Sequence, residues 1–357
     1  MATHFTIDPA NYTAFKLSRK GRVLTVCLST DHPMNGVDAR LHEEFATLFY
    51  DLQRDSESDI LVLTGEGRAF CAGGDVIMLH DSGKKDGKDA EEFWRVEYAL
   101  NELIHVYGKP YISLIDGIVM GGGVGLSVHG RHRVAGDNTL FAMPETGIGY
   151  FPDVGGTYFL PRLGKSVGNW LGLTGARAIT VDVCTLGIAN HYVPSEQHAD
   201  LIDALGKAKL DGSDAAAVKV LNKFAKTPPA AGNLPGEIGA FGRESVTEIL
   251  NTLDELGTPW AVKQAGIMRK KSPLAMSVTL ETLNRGASLN FREAMTMELD
   301  LSLNFLKTQD FYEGIRSQLI DKDRNPKWSH DDTSKVTDKQ IERLFKETAK
   351  PRLEFLS

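Results

Sequence analysis

The segment Met120–Pro161, MGGGVGLSVHGRHRVAGDNTLFAMPETGIGYFPDVGGTYFLP, decides how this chain is read. The run Gly121-Gly122-Gly123-Val124-Gly125 stands where a buried strand signal, Pro110–Ile115, gives way to a helix start. Two short strand signals follow, Arg133–Ala135 and Leu140–Ala142. Beyond them Glu145 follows Pro144 and Asp153 follows Pro152, each flanked by apolar residues. Glycines let backbone come close to a ligand, and N–H groups freed where a strand ends can hold a developing oxyanion. A partly buried carboxyl has a raised pKa and can serve as acid, base or nucleophile near neutral pH. The combination reads as carbonyl chemistry under backbone N–H groups.

A second glycine turn, Arg68-Ala69-Phe70-Cys71-Ala72-Gly73-Gly74-Asp75, follows the strand signal Ile60–Leu63 and precedes an apolar run. Neither turn continues into the Lys-Ser/Thr of a phosphate loop or has dinucleotide-fingerprint spacing. Around them, Phe15–Leu28 alternates as a β-hairpin. Leu41, Phe45, Leu48 and Leu52 recur at helical spacing, and so do Phe93, Val96, Leu100, Leu103 and Ile104 in Glu91–Val106. Asp81–Asp89, DSGKKDGKD, reads as a polar, mobile loop. Strand, helix and strand recur at short intervals through the first half, which makes it an α/β unit with helices packed on sheet. After Val193 the strand signal fades. The Pro/Gly-rich stretch Thr227–Pro235 is the best boundary, and the amphipathic runs beyond it predict a mostly α-helical second half.

Composition narrows the function classes. The chain has 357 residues, 42% hydrophobic and 24% charged, with net charge −7. That suffices for one large core and a smaller unit, and it makes a poor nucleic-acid or membrane-surface binder. Three scattered cysteines without a CxxC suggest neither a disulfide framework nor a zinc site. No apolar run is long enough to span a bilayer. The N-terminal MATHFTIDPANYTAF has no signal or transit pattern, so a cytoplasmic or matrix-type protein is expected. Residue type alone leaves alternatives open. Asp153 reads equally as a helix N-cap, Glu145 as an arginine partner and Glu97 as a solvated helix residue. His129 and His132 show no ligand spacing.

Together the motifs resemble the crotonase superfamily, also called the enoyl-CoA hydratase/isomerase superfamily. RAFCAGGD (68–75), MGGGVGL (120–126) and MPETGIGYFPDVGGTYFLPRLG (143–164) occur in that family's order and spacing. With Glu97 in VEYALN and the ending EGIRSQLIDKDRNPKW (313–328), the resemblance spans roughly residues 12 to 330. Two-glutamate hydratases carry an acid three residues after Gly122, where this chain has Gly125; the hydrolase-like branch has Gly there and an Asp in FPDVGG, as Asp153 is here. The resemblance therefore implies hydrolysis of a short β-hydroxyacyl-CoA thioester, with 3-hydroxyisobutyryl-CoA of valine breakdown the expected substrate. Hydration or isomerisation is the alternative, and a non-catalytic acyl-CoA-binding member a lesser one.

The implied fold is an α/β spiral of β-β-α turns over residues 12–226, a helical region over 236–330, and a peripheral helix or tail over 331–357. In the implied site the N–H groups of Gly74 and Gly122 form the oxyanion hole. Glu145 is the nucleophile or water-activating base, Asp153 orients groups and handles protons, and Glu97 meets the polar end of the acyl group. No metal or redox cofactor is needed, because CoA is part of the substrate. Arg68, Lys84 and Lys85 are candidates for its phosphates. A homo-oligomer is compatible with the family.

Overall fold

The computed structural model describes residues 6–30, 34–229 and 235–356. Part of the expected boundary, residues 230–234, and the first five residues of the N-terminal stretch lie outside them. The chain enters as an antiparallel hairpin, β1 (Lys16–Lys20) and β2 (Val23–Leu28), in register from Lys16↔Cys27 to Lys20↔Val23. Helix α1 (Ala39–Arg54) follows, its first turn capped by Asp38, which accepts from the Leu41 N–H. It buries the predicted stripe of Leu41, Phe45, Leu48 and Leu52.

Three turns of a coil come next. Each places one strand in a large sheet and the next in a small one. The pairs are β3 (Ile60–Gly65) with β4 (Ala69–Cys71), β5 (Tyr111–Leu114) with β6 (Ile118–Met120), and β7 (His132–Ala135) with β8 (Leu140–Ala142). Helices α2 (Val76–Gly83), α3 (Lys88–Val106) and α4 (Gly122–Gly125) follow the first two pairs. After β8 come α5 (Gly156–Arg162), α6 (Lys165–Thr174), β9 (Ala178–Ile179), α7 (Thr180–Thr185), β10 (His191–Tyr192), α8 (His198–Lys207) and α9 (Asp214–Phe224). The large sheet has the order β1-β2-β3-β5-β7-β10 and the small one β4-β6-β8-β9. From β2 to β10 the large sheet is parallel. Parallel strands are covered on both faces, so they read as continuous apolar runs rather than alternating ones. Leu61 and Leu63 of β3 face the main core, while Ile60 and Val62 face a second core beneath α8 and α9, with Leu201, Leu205 and Leu221.

The rest is helical: α10 (Val246–Leu256), α11 (Pro259–Met268), α12 (Pro273–Gly286), α13 (Phe291–Phe305), α14 (Gln309–Ile315), a π-helical turn Arg316–Ile320 and α15 (Asp338–Leu344). Capping boxes start α10 (Ser245 with Glu248) and α13 (Asn290 with Glu293). The last residues are tied to α13: Asn304 Nδ2 donates to the Leu344 and Lys346 carbonyls, and Asp300 pairs with Arg352.

One expectation is corrected. Asp81–Asp89 is not a long polar loop. Helix α2 runs to Gly83, a turn occupies residues 84–87, and α3 begins at Lys88. The reason is tertiary. A Cβ at Gly83 would stand 2.6 Å from the Tyr312 hydroxyl, so the backbone is pressed against the C-terminal helices. The Ser82 hydroxyl accepts the Ala90 N–H and joins the two helices across the turn.

Helix α12 lies close against α5: a Cβ at Gly286 would lie 1.9 Å from the Thr157 carbonyl oxygen. Gly286→Ala is therefore expected to destabilise the protein by about 1–3 kcal/mol through overpacking. Thermal unfolding of the purified variant measures it.

Candidate active site

The small sheet makes the site. β4 and β6 pair in parallel, Ala69↔Ile118 and Cys71↔Val119, so the two glycine turns leave its edge side by side. Gly73 adopts φ +115°, which side chains rarely permit, and its Cα face looks onto Met120 and Gly121. A Cβ at Gly122 would stand 3.5 Å from the Gly74 nitrogen. The Gly74 and Gly122 backbones thus lie against each other, and this edge is the point the site is built around. Gly122 is the first residue of α4, where an N–H has no partner within the helix. Neither N–H donates a backbone hydrogen bond to any other loop or turn among the described residues.

Three carboxyls converge on this point. Glu145 opens a short 3-10 turn, Glu145–Ile148, directly after Pro144. Its Oε1 lies 3.7 Å from where a Gly121 Cβ would be. Its Oε2 is buried without a hydrogen-bond partner among the described residues. Burial, reinforced by Asp153, pushes the Glu145 carboxyl well above the usual range, while Lys271 pulls the other way. Lys271 reaches this turn because the Ser272 N–H donates to the Thr146 carbonyl (3.2 Å), which docks the α11–α12 connection on it. Glu145 therefore faces a lysine rather than the arginine that residue type allowed.

Glu97 is buried on α3, and a Gly122 Cβ would stand 2.9 Å from its Oε1. It is not the solvated helix residue that sequence alone permits. Burial raises its carboxyl well above the usual range, helped by Asp153 and Glu298. Its neighbour His42 (3.5 Å) is pushed by burial down to about 3 and is neutral, so the two form no ion pair.

Asp153 does not cap α5. That helix has Gly155 at its N-cap with no side-chain bond from it. Asp153 Oδ2 instead accepts from the Tyr98 hydroxyl (2.7 Å), and the Tyr150 hydroxyl lies 3.4 Å away. Burial raises it to about 6, against these hydrogen bonds. Glu298 of α13 supplies the cap: it accepts from the Gly155 N–H (2.9 Å), the Thr157 N–H (3.2 Å) and the Thr157 hydroxyl. Burial first, then Asp153, lifts Glu298 to about 8.

These groups line or back a cavity of about 890 Å³. Ala72–Gly74, Met120–Gly122, Glu97, Glu145 and Asp153 form its floor, Phe93, Trp94 and Tyr150 part of its wall. At its rim stand Arg269, Lys270, Lys271 and Arg324, with Trp328, whose indole N–H donates to the Lys270 carbonyl (3.2 Å). Arg68, Lys84 and Lys85, the phosphate candidates of the sequence, are exposed and do not line the cavity. The cationic rim comes from the α11–α12 connection and the segment after the π-helical turn, which sequence order does not connect to the glycine turns. His129 Nε2–H donates to the Val154 carbonyl (2.7 Å) and holds that turn, while His132 pairs with Asp214 away from the site. Among the described residues no group of three or more His, Cys, Asp or Glu side chains is arranged to hold a metal ion. No described helix is long and apolar enough to cross a membrane.

Sequence reading did not find Tyr98, Ser302 or Glu298. A signal existed for the last two: Glu298 and Ser302 stand four apart in the apolar face of α13, beside Met295 and Leu299, where a polar residue needs a partner.

This fold and this site define a crotonase-type acyl-CoA protein, and the chain belongs to the enoyl-CoA hydratase/isomerase family, whose model matches residues 23–345. It is 44% identical over 302 residues to the mitochondrial 3-hydroxyisobutyryl-CoA hydrolase of Xenopus tropicalis, covering 82% of this chain and 78% of that one. It is 38% identical to the Homo sapiens enzyme of that name over 347 residues, covering 95% and 90%. Among solved structures it resembles a carnitinyl-CoA dehydratase from Mycobacterium thermoresistibile (TM-score 0.89, 36% identity, 97% and 99% covered). It also resembles an enoyl-CoA hydratase from Rhodobacter sphaeroides 2.4.1 (TM-score 0.84, 35% identity, 96% and 100% covered).

Gly125 now has a physical reading. A Cβ there would stand 2.8 Å from Asn101 Nδ2 and 2.9 Å from Val154 Cβ, so no carboxylate fits at this position. Gly125→Glu is expected to lower the melting temperature and to add no hydratase activity. Calorimetry and an enoyl-CoA absorbance assay on one sample check both halves.

Proposed function

We propose that this chain hydrolyses the thioester of a short β-hydroxyacyl-CoA, 3-hydroxyisobutyryl-CoA foremost, to free CoA and the hydroxy acid. The observation that supports this best is the adjacency of the Gly74 and Gly122 N–H groups to Glu145, with no space for a second acid at Gly125. In this reading the thioester oxygen lies between the two N–H groups, which stabilise the charge that attack creates there. One such donor contributes about 3–4 kcal/mol in comparable sites. Glu145, next to the carbonyl carbon, either attacks it to give an anhydride and free thiolate or takes a proton from an attacking water. Its unpartnered Oε2 makes it a strong nucleophile or base once ionised. In the anhydride route Asp153, ionised at the start, accepts a proton of the water that cleaves the anhydride and passes it to the thiolate already released; in the water route Glu145 takes that proton and gives it to the departing sulfur, and Asp153 orients the water. Glu97, whose burial favours the protonated carboxyl, exchanges hydrogen bonds with the β-hydroxyl. The rim cations Arg269, Lys270 and Arg324 meet the CoA phosphates. CoA enters and leaves as substrate, and the chemistry calls on no other cofactor. The mitochondrial names of the relatives support a matrix location.

The solved dehydratase and hydratase favour a second reading, water addition to an enoyl thioester. A panel of short acyl-CoAs, followed at once by a thiol reagent and by enoyl absorbance, separates the two. Hydrolysis predicts one thiol per substrate consumed. Loss of enoyl absorbance without thiol returns the chain to the hydratases. Glu145→Gln should lower thiol release on the order of 10³-fold or more while acyl-CoA still binds. Glu97→Leu should raise KM about tenfold or more for a β-hydroxyacyl-CoA and leave that for the unhydroxylated analogue nearly unchanged, since only the former loses a hydrogen-bond partner. Steady-state kinetics on the two substrates measures it.

A further inference from the structure

Beside Asp153, where Tyr150 forms part of the cavity wall, three hydroxyls meet in a buried cluster. Tyr98 OH lies 2.7 Å from Asp153 Oδ2, 2.8 Å from Ser302 Oγ and 3.3 Å from Tyr150 OH. Tyr150 OH lies 2.6 Å from Ser302 Oγ and 3.4 Å from Asp153 Oδ2. Ser302 Oγ donates to the Glu298 carbonyl one turn back on α13 (2.7 Å). Each hydroxyl has one proton to give, and counting them fixes the directions. The serine proton goes to the Glu298 carbonyl. Ser302 Oγ is then an acceptor and takes the short bond from Tyr150. The Tyr98 proton remains, and it goes to Asp153. Both phenols are buried and pushed above their usual range, so they stay protonated and act as donors.

We infer that Tyr98, packed against Ser302 and Tyr150, is the positioning residue that holds Asp153 Oδ2 and keeps the carboxylate ionised in the resting enzyme, leaving Oδ1 to exchange the proton in the cavity. The inference rests on the proton-handling role proposed for Asp153. No bond beyond hydrogen bonds changes in the cluster: the proton that Oδ1 accepts from water is the one it gives to the thiolate. A hydrogen bond to a charged group is the strong kind, and this one opposes its surroundings. Glu97 on α3, Glu145 on its own loop and Glu298 on α13 all favour the protonated form of Asp153 or are themselves disfavoured by its charge. Lys271 faces Glu145 rather than Asp153, and His129, beneath Val154, is neutral because burial takes it down to about 3.

The sign of the test follows. A donor to the ionised form lowers the pKa, so removing it raises the pKa and moves the acidic limb of kcat/KM to higher pH. Tyr98→Phe is expected to move that limb up by about one pH unit or more, to lower kcat about twofold or more at neutral pH with KM little changed, and to recover at alkaline pH. Ser302→Ala frees the Tyr150 proton to turn to Asp153 and is expected to move the limb down; it carries the test if Tyr98→Phe does not fold. Tyr107→Phe removes a different buried hydroxyl, one with no partner among the described residues, and is expected to leave the profile in place. An unshifted limb in Tyr98→Phe and Ser302→Ala, with Asp153→Asn inactive, overturns the inference while the role of Asp153 stands. A fully active Asp153→Asn overturns that role and the inference with it.

Discussion

The parallel pairing of β4 with β6 is the constraint on which the rest of the site depends. It exists because each coil turn sends its first strand to the large sheet and its second to the small one, so strands 49 positions apart in sequence, Ala69 and Ile118, become hydrogen-bonded neighbours. Their two glycine turns then share one edge, and only residues without Cβ fit there. A side chain at Gly123 would run into the Cys71 carbonyl at 2.3 Å, and one at Gly125 into Asn101 and Val154. The same closeness draws α3 and the Pro152–Val154 segment against α4, which carries Glu97 and Asp153 to within reach of the N–H groups that the glycines present.

Around this edge the protein buries four carboxyls, Glu97, Glu145, Asp153 and Glu298, and treats each differently. Glu298 receives two backbone N–H groups and a hydroxyl, and serves as the cap of α5. Asp153 receives the Tyr98 hydroxyl, which opposes the rise that full burial imposes. Glu97 has a neutral histidine beside it. Glu145 has an oxygen with no partner and a lysine at the edge of its field. Groups of one chemical type whose surroundings push their pKa values apart are how a site divides acid, base and nucleophile roles among them. Burying several like charges destabilises a fold, and the structure offsets this with the hydroxyl cluster and the helix cap rather than with arginine pairs.

Much of this was legible in the chain. The strand and helix periods located β2, β3, β5, α1 and α3, since their apolar stripes are long enough to stand out. The glycine turns and Pro-bounded acids of 120–161 located the site, because close backbone approach and buried carboxyls leave a local signature. Three things were not legible. The end of α2 and the start of α3 were hidden in DSGKKDGKD, because packing of Gly83 on Tyr312 and the Ser82–Ala90 hydrogen bond override the local polarity. The cationic rim lies some two hundred residues downstream of the glycine turns, and nothing in its spacing connects the two. Tyr98 and Ser302 meet only through the docking of α13 on α3. Residue type also left Asp153 balanced between a cap and a functional acid. Glu298, a cap supplied from another helix, removes the first role.

The central claim is that the Gly74 and Gly122 N–H groups together polarise a thioester carbonyl beside Glu145. The most direct measurement is the carbonyl stretch of a carbon-13-labelled short acyl-CoA bound to the Glu145→Gln protein, read by isotope-edited difference infrared spectroscopy. The account predicts a band shifted to lower frequency than in water, because two N–H donors in a dry site weaken the C=O bond. A bound thioester whose stretch stays at or above its value in water would contradict it.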